Sequence, residues 1–501
     1  MTRNTQTRLC DRFTTAPLGR GSAWDSEIVA EVRNGLSGSQ AGDVLAQPQV
    51  TRLLGGIYAG SSYLSGLIRR DPDRLVRLLH ANPEHHLREI IATLHSDFSA
   101  LPDPKSAMKI LREFKCEAAL LIALADLGGV WSIMTVTEAL TNIADAAVQA
   151  SVSYHFRAAQ AKGDWLDEKS DAPEIHSGYF VLAMGKHGAH ELNYSSDIDL
   201  IVFYERDKAQ LRPGLEPQQF FVKLTQQVHR FMNEWTPDGY VFRTDLRLRP
   251  DPGATPVAIS TDSAMHYYES FGQNWERAAM NKARAIAGDT AQGETFLADL
   301  APFIWRKYLD YAAISDSHAM KRQIHAHRGF GAIAVAGHNI KLGRGGIREI
   351  EFFTQTQQLI AGGRQPELRT RGTLETLDTL VERGWVEPII RDDLNEAYRF
   401  LRWLEHRIQM VADQQSQELP AREEELEAFA RFSGFEDADK LADRVRGCLQ
   451  TVVTHYAALF EDIPQLSSEF SNLVFAGEDD DPDTCLLYTS PSPRDCNEYL
   501  V

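Results

Sequence analysis

The chain has 501 residues, which at roughly 150 residues per domain allows about three domains. Its formal charge is −18, from 70 acidic and 52 basic residues, and so acidic a chain repels nucleic acid unless it carries a local basic patch. No apolar run reaches the ~18 residues needed to span a bilayer, and Met1 is followed by polar sequence with Arg3, Arg8 and Arg12 instead of a secretory leader, so a cytoplasmic protein that acts on a small ligand or another protein is expected, with no nucleic acid and no membrane as partner.

The first 165 residues read as helical. Residues 107–127 are dense in Leu, Ala, Ile and Glu, all good helix formers. Residues 138–161 continue in the same style, and no proline interrupts the stretch between Lys105 and Pro173. Residues 164–176 read as a polar linker. Composition then changes. The apolar run 178–184 (GYFVLAM) ends at Gly185, and 197–204 (DIDLIVFY) carries acids only at its start. Such runs fit strands buried on both faces. Residues 218–235 have helical spacing, and 239–249 (GYVFRTDLRLR) alternate with period two before Pro250, Pro252 and Gly253, which predicts a long strand. Helices resume from about Ser263. Leu394, Ala397, Leu401, Leu404, Ile408 and Val411 form one apolar stripe of a long helix in a bundle.

The end of the chain is different. Residues 479–483 are acidic and loop-like, and 485–495 read CLLYTSPSPRD, which is what one reading frame of a common transposase-library sequencing adapter translates to. Residues 485–501 are therefore set aside as one sets aside a cloning scar, and the native chain is expected to run on past Thr484. The five cysteines, Cys10, Cys116, Cys448, Cys485 and Cys496, include no pair with zinc-ligand spacing and read as reduced thiols.

The strongest chemical signal is Gly185-Lys186, ten residues, then Asp197-Ile198-Asp199. Residues i and i+2 of a strand share a face, so Asp197 and Asp199 present two carboxylates side by side. Like charges that close are costly unless neutralised, and magnesium, a hard cation seeking oxygen, neutralises them. Asp245 supplies a third carboxylate on the alternating strand, sharing its expected face with Val241, Arg243, Arg247 and Arg249. Three carboxylates can hold two metals about 4 Å apart for an in-line displacement at phosphorus, and guanidinium groups can clamp the phosphoryl oxygens. The plainer reading, paired acids at a strand start and an exposed basic edge, requires none of this.

Residues 185–200, GKHGAHELNYSSDIDL, resemble the nucleotidyltransferase signature of the DNA polymerase beta superfamily and, more narrowly, glutamine synthetase adenylyltransferases. Segments 61–75 (SSYLSGLIRRDPDRL), 241–250 (VFRTDLRLRP), 274–284 (NWERAAMNKAR), 341–353 (KLGRGGIREIEFF) and 397–420 resemble the family in family order, so the likeness runs from about residue 50 to 484. It implies an α+β, predominantly helical fold: a polymerase beta-like nucleotidyltransferase core with a mixed sheet at 166–300, a helical N-terminal region at 1–165, a C-terminal helical bundle at 301–475 and a linker at 476–484 into a second half. The family has one half that removes AMP from a tyrosine of glutamine synthetase by phosphorolysis, phosphate in and ADP out, and another that adds AMP from ATP. The native start, the REIEFF form of the later motif and the FAGEDDDPDT ending resemble the removing half. The same resemblance implies Mg2+ as cofactor, with Mn2+ as an alternative, and the PII signalling protein and glutamine as regulators.

By the same resemblance, Asp197, Asp199 and Asp245 are the metal-binding catalytic carboxylates. Gly185 admits the nucleotide phosphates, Ser196 donates to phosphate, and Lys186 is expected to contact it. The attacking phosphate requires a further anion site, for which Arg243, Arg247, Arg249, Arg277, Lys282 and Arg284 are candidates without a spacing argument to choose among them; Arg suits bidentate binding. Gly343-Arg344-Gly345-Gly346 precedes a helix from about Ile347, a natural anion site in which Arg344 and one of Glu349 and Glu351 are expected to take part. His187 and His190 match no requirement of the reaction. Adenylyl transfer onto a protein, a polymerase of the same superfold, and a silent scaffold that binds glutamine synthetase or PII remain as alternatives.

Overall fold

β1 (Tyr179–Ala183) is buried along its whole length, and β2 (Ile198–Tyr204) is buried except at half-buried Asp199. The two pair antiparallel, with Tyr179 opposite Tyr204 and Ala183 opposite Leu200. β5 (Arg284–Gly288) lies antiparallel on the other edge of β1. β3 (Thr244–Asp245) and β4 (Ile259–Ser260) pair parallel with the start and the end of β2 respectively. The result is a mixed sheet of order β3-β2-β1-β5, with β4 beside β2. The computed structural model describes residues 7–37, 43–98, 103–167, 170–306 and 333–461. The acidic stretch 479–483, the linker 476–484 and the tail 485–501 lie outside them.

Strand periodicity explains why the apolar runs are unbroken. Tyr179, Val181 and Ala183, with Leu200, Val202 and Tyr204, join one core with Phe156 and Phe221 from the helices Ile133–Ala161 and Pro217–Asn233. Phe180, Leu182, Ile201 and Phe203 join a second core with Tyr268, Phe296 and Leu300 from the helices Thr261–Ser270 and Thr290–Ile304. Helices thus cover both faces, so neither face needs polar residues. The Phe203 and Phe296 rings lie 4.7 Å apart, and each such fully buried phenylalanine contributes about 1.5–3 kcal/mol.

The N-terminal region is helical as expected, and its helix starts are written in the sequence. Pro72 and Pro104 open the helices Pro72–His80 and Pro104–Leu127, with Asp71 and Asp103 accepting from backbone N–H groups of the first turns. Ser61 and Ser132 cap the helices Ser62–Arg70 and Ile133–Ala161 in the same way. Such caps satisfy donors that have no partner inside the helix. Among the described residues no helix is long and apolar enough to cross a membrane.

One expectation is corrected here. The long strand expected over 239–249 is only Thr244–Asp245. Val241 and Phe242 are both buried, so the alternation of faces fails, and the Arg249 guanidinium donates to the carbonyls of Leu246, Pro252 and Thr255, closing the segment into a turn. The helix Pro388–Ala412 carries the expected stripe, with Leu394, Ala397, Leu401, Leu404 and Ile408 buried and Val411 half-buried; Arg402, Glu405, His406 and Gln409 are buried as well. The polar residues are buried because this helix runs through the interior against the N-terminal helices: Arg407 pairs with Asp126 at 2.9 Å, and Ser62 donates to the Val411 carbonyl at 3.0 Å.

Candidate active site

β1 hands over to a turn at Met184, whose N–H donates to the Asp199 carbonyl at 2.9 Å. Gly185 then takes φ +52, and a Cβ there would sit 3.4 Å from Asp199 Oδ2. That conformation is open to glycine and strained for other residues. At Gly188 space decides instead, since a Cβ would come 2.0 Å from the Lys282 carbonyl oxygen. The turn therefore packs directly on the backbone entering β5.

Asp197 precedes β2, and Asp199 is its second residue. Ile198 N–H donates to the Arg243 carbonyl at 2.8 Å, which sets the register that places Asp199 opposite Asp245. Three carboxylates therefore converge where β2 and β3 begin. Burial, then the charges of Asp245 and Asp197, push the Asp199 carboxyl up to about 7. Asp245 behaves oppositely. Burial pushes its carboxyl up, but Arg247 outweighs that and holds it below the usual range, with Nη2 at 2.6 Å and backbone N–H at 2.8 Å. Gln415 Nε2 donates to Asp197 Oδ1. A pocket of about 590 Å³ opens beside Asp197 and Asp245, lined also by Arg243, Arg247, His229 and Asn233.

The loop before Asp197 is held from the helix Pro388–Ala412 and its end. Ser195 N–H donates to Gln409 Oε1 at 2.9 Å and its hydroxyl to Asp413, which also accepts from Tyr240. Ser196 is half-buried between this anchor and Asp197. Gly185, Ser196, Asp197, Asp199, Asp245 and Arg247 are thus gathered at one place.

The other expected site residues stand elsewhere. Lys186 places its ammonium 3.1 Å from Glu405, not in the pocket. Lys186 and Arg402 hold the Glu405 carboxyl down at about 2 against the upward push of burial, and Arg402 Nε lies 3.2 Å from it. Lys282 pairs with Glu191 at 3.3 Å, and Glu191 also accepts from Thr373 N–H at 2.7 Å. Arg284 holds Asp145 at 2.7 Å, and His187 meets the same carboxylate at 2.8 Å. His190 adopts φ +59. Arg277 is buried, its guanidinium donating to the Ile304 carbonyl and to Asn274. Arg249 builds the turn described above.

The expected glycine-loop anion site is closed from within. Ile347 and Arg348 donate their N–H groups to the carbonyls of Ile340 and Lys341, Glu349 donates to Gly346, and Gly345 N–H is taken by the Glu349 carboxylate at 3.1 Å. Arg344 is exposed on this loop. Glu351 follows in the helix Ile347–Ala361, its Oε1 buried without a hydrogen-bond partner. Its carboxyl, pushed up by burial, is drawn lower on balance by the charges of Lys186, Lys282, Lys341 and Arg402. Arg402, Glu405 and Gln415 lie within the family-like segment 397–420 and Lys341 opens the segment 341–353, but none is an expected site residue. For Arg402 and Glu405 a further signal is the polar run Arg402, Glu405, His406, Gln409 at three- and four-residue spacing beside an apolar stripe.

The donor chemistry at the convergence suits a divalent cation. Three carboxylates meet, and one is forced towards its neutral form by burial and then by its neighbours, a penalty that a bound cation offsets. Among the described residues no three of His, Cys, Asp and Glu stand at metal-holding spacing. Asp245 is turned onto Arg247 and Asp197 onto Gln415, so both side chains would have to rotate towards a metal.

The family model described as glutamate–ammonia ligase adenylyltransferase matches residues 51–299, and that of the GlnD PII-uridylyltransferase matches residues 317–463. A bifunctional glutamine synthetase adenylyltransferase/adenylyl-removing enzyme of Bradyrhizobium diazoefficiens is 51% identical over 478 residues, 95% of this chain and 48% of the relative. Enzymes of the same name from Rhodopseudomonas palustris and Xanthobacter autotrophicus are 53% and 52% identical, over 84% and 88% of this chain and 42% and 44% of theirs. The chain spans about half the length of the curated relatives it matches. On these matches the chain belongs to the glutamate–ammonia ligase adenylyltransferase family.

Proposed function

We propose that this chain removes AMP from an adenylylated tyrosine of glutamine synthetase in the cytoplasm, by metal-dependent phosphorolysis that takes in phosphate and releases ADP. The observation that carries the reading is the register of Asp199 against Asp245 with Asp197 alongside. Asp197, Asp199 and Asp245 would hold magnesium, or manganese, which when bound neutralises charge on the phosphoryl oxygens. Gly185 lets the nucleotide phosphates approach the backbone. Arg247, which lines the pocket and now holds Asp245, would bind a phosphoryl oxygen. An oxygen of inorganic phosphate attacks the AMP phosphorus, the bond to the tyrosine oxygen breaks, and the proton of the hydrogen phosphate ends on that oxygen. The PII protein is the regulator this reading implies.

The test uses the full chain with adenylylated glutamine synthetase, magnesium and PII protein, with and without phosphate. Phosphate-dependent ADP release, lost in Asp199→Asn, is the expected result. AMP attachment from ATP to unmodified synthetase, without ADP release, would assign the same carboxylates to the opposite reaction.

A further inference from the structure

The attacking phosphate requires a cation that is free to receive it, and most of the basic residues near the site are committed. Arg249 is spent on the carbonyls of its own turn, Arg277 on Ile304, Lys282 on Glu191, Arg284 on Asp145 and Lys186 on Glu405. Arg243 donates to the Ser195 carbonyl. Arg243 and Arg247 both line the pocket, Arg247 on Asp245.

One further cation comes from far along the chain. Ile340 N–H donates to the Gln417 carbonyl at 2.9 Å, Leu419 N–H donates to the His338 carbonyl at 2.9 Å, and Asn339 bridges Glu418 antiparallel. This short two-stranded ribbon leads from Gln415, whose amide lies on Asp197. Lys341 stands at its other strand. Asn339 Oδ1 accepts the Lys341 N–H at 3.1 Å, and the Lys341 carbonyl accepts from Arg348 N–H at 3.0 Å, so its backbone is fixed on both sides. The residue is half-buried. Among the described residues its ammonium makes no hydrogen bond or ion pair, although its charge acts on Asp199, Glu405 and Glu351. An unpaired ammonium whose charge reaches Asp199, on a ribbon that leads to Gln415 and Asp197, is a cation kept available.

We propose that Lys341 binds an oxygen of the inorganic phosphate that attacks the AMP group, as the partner of Arg247. The inference rests on the phosphorolysis reading and deepens it. Lys341 neutralises the incoming anion as it approaches Asp197, Asp199 and Asp245, and its ribbon ties that anion to Asp197 through Gln415.

The test is steady-state ADP release by the full chain over a range of phosphate concentrations, at saturating adenylylated glutamine synthetase, for wild type, Lys341→Ala and Lys341→Arg. Inorganic phosphate binding in the presence of magnesium is measured alongside by calorimetry. Lys341→Ala is expected to raise the phosphate KM and weaken phosphate binding roughly 10- to 100-fold, the worth of one hydrogen bond to a charged group. The KM for the protein substrate stays unchanged, and Lys341→Arg recovers most of the loss. Wild-type ADP release with an unaltered phosphate KM in Lys341→Ala would overturn the assignment. Lys341-dependent phosphate binding without ADP release by wild type would leave the anion site standing and reject phosphorolysis. A thermal midpoint matching wild type shows that the variant has folded.

Discussion

Asp199 and Asp245 face each other in register across the parallel pair β2–β3, yet their carboxyls are pushed in opposite directions. Burial and the two neighbouring acids raise Asp199, while Arg247 holds Asp245 low. The difference lies in the partner each carboxylate has. Among the described residues Asp199 has no cation bonded to it, so it is the carboxylate with most to gain from a metal. Asp199→Asn is therefore predicted to abolish ADP release while raising the thermal midpoint in the presence of a chelator, because a buried like-charge repulsion is removed. A lowered midpoint with chelator present would mean that the Asp199 charge has a stabilising partner in the folded chain.

The Arg247–Asp245 contact makes a second, less obvious prediction. Arg247 and a metal ion compete for the same carboxylate oxygens. The arginine side chain is 65% exposed, so the pair is worth at most about 1 kcal/mol. Arg247→Ala is predicted to tighten manganese binding by up to about fivefold, that same energy expressed as affinity, while ADP release falls. Calorimetric titration of manganese separates the two effects; weaker metal binding in the variant would show that Arg247 supports the metal site instead of competing with it.

The parts of this site that were legible in the sequence are the local ones. β1 and β2 follow from apolar runs whose alternate residues enter different cores, and the Asp-Ile-Asp pair follows from strand periodicity. What spacing cannot carry is contact between distant segments. Lys186 meets Glu405 across 219 positions, and Asp197 meets Gln415 across 218. Lys186 was expected on phosphate by family resemblance, but the turn aims it into the helix Pro388–Ala412. β3 was overextended because alternation continues through Arg249, whereas that guanidinium satisfies carbonyls that would otherwise need a neighbouring strand. The glycines at 343–346 suggested an anion cradle, but Gly345 is pressed against the Leu449 backbone, which suits packing.

Glu405 sits between Lys186 and Arg402, fully buried. Removing one partner of such a cluster strands the others in a low-dielectric interior. Glu405→Ala is predicted to cost about 3–5 kcal/mol, read by urea unfolding. The double variant Lys186→Met, Glu405→Met should lose clearly less than the sum of its single changes, because each change removes the reason the other is costly. Additive losses would mean that Lys186 and Glu405 are held by separate surroundings.

Glu276 offers a test far from the carboxylates. Burial pushes its carboxyl up to about 7, helped slightly by the charge of Asp251 and opposed by hydrogen bonds from Gln273 N–H and the Tyr267 hydroxyl. The folded chain therefore holds this proton more tightly than the unfolded chain does. The stabilisation is fully present below the ordinary glutamate value near 4.5 and is lost as pH rises through about 7. Between those limits the group removes at most about 3 kcal/mol of stability. A glutamine at 276 keeps a carbonyl oxygen for Gln273 N–H and Tyr267 but carries no proton to lose. Glu276→Gln is predicted to match wild type at pH 5 and to exceed it by about 2–3 kcal/mol at pH 8, measured by denaturant unfolding at both values. Equal stability of the two proteins at pH 8 would show that the ionised carboxylate finds solvent or a cation when it forms, and that the helix Asn274–Met280 can shift to let it do so.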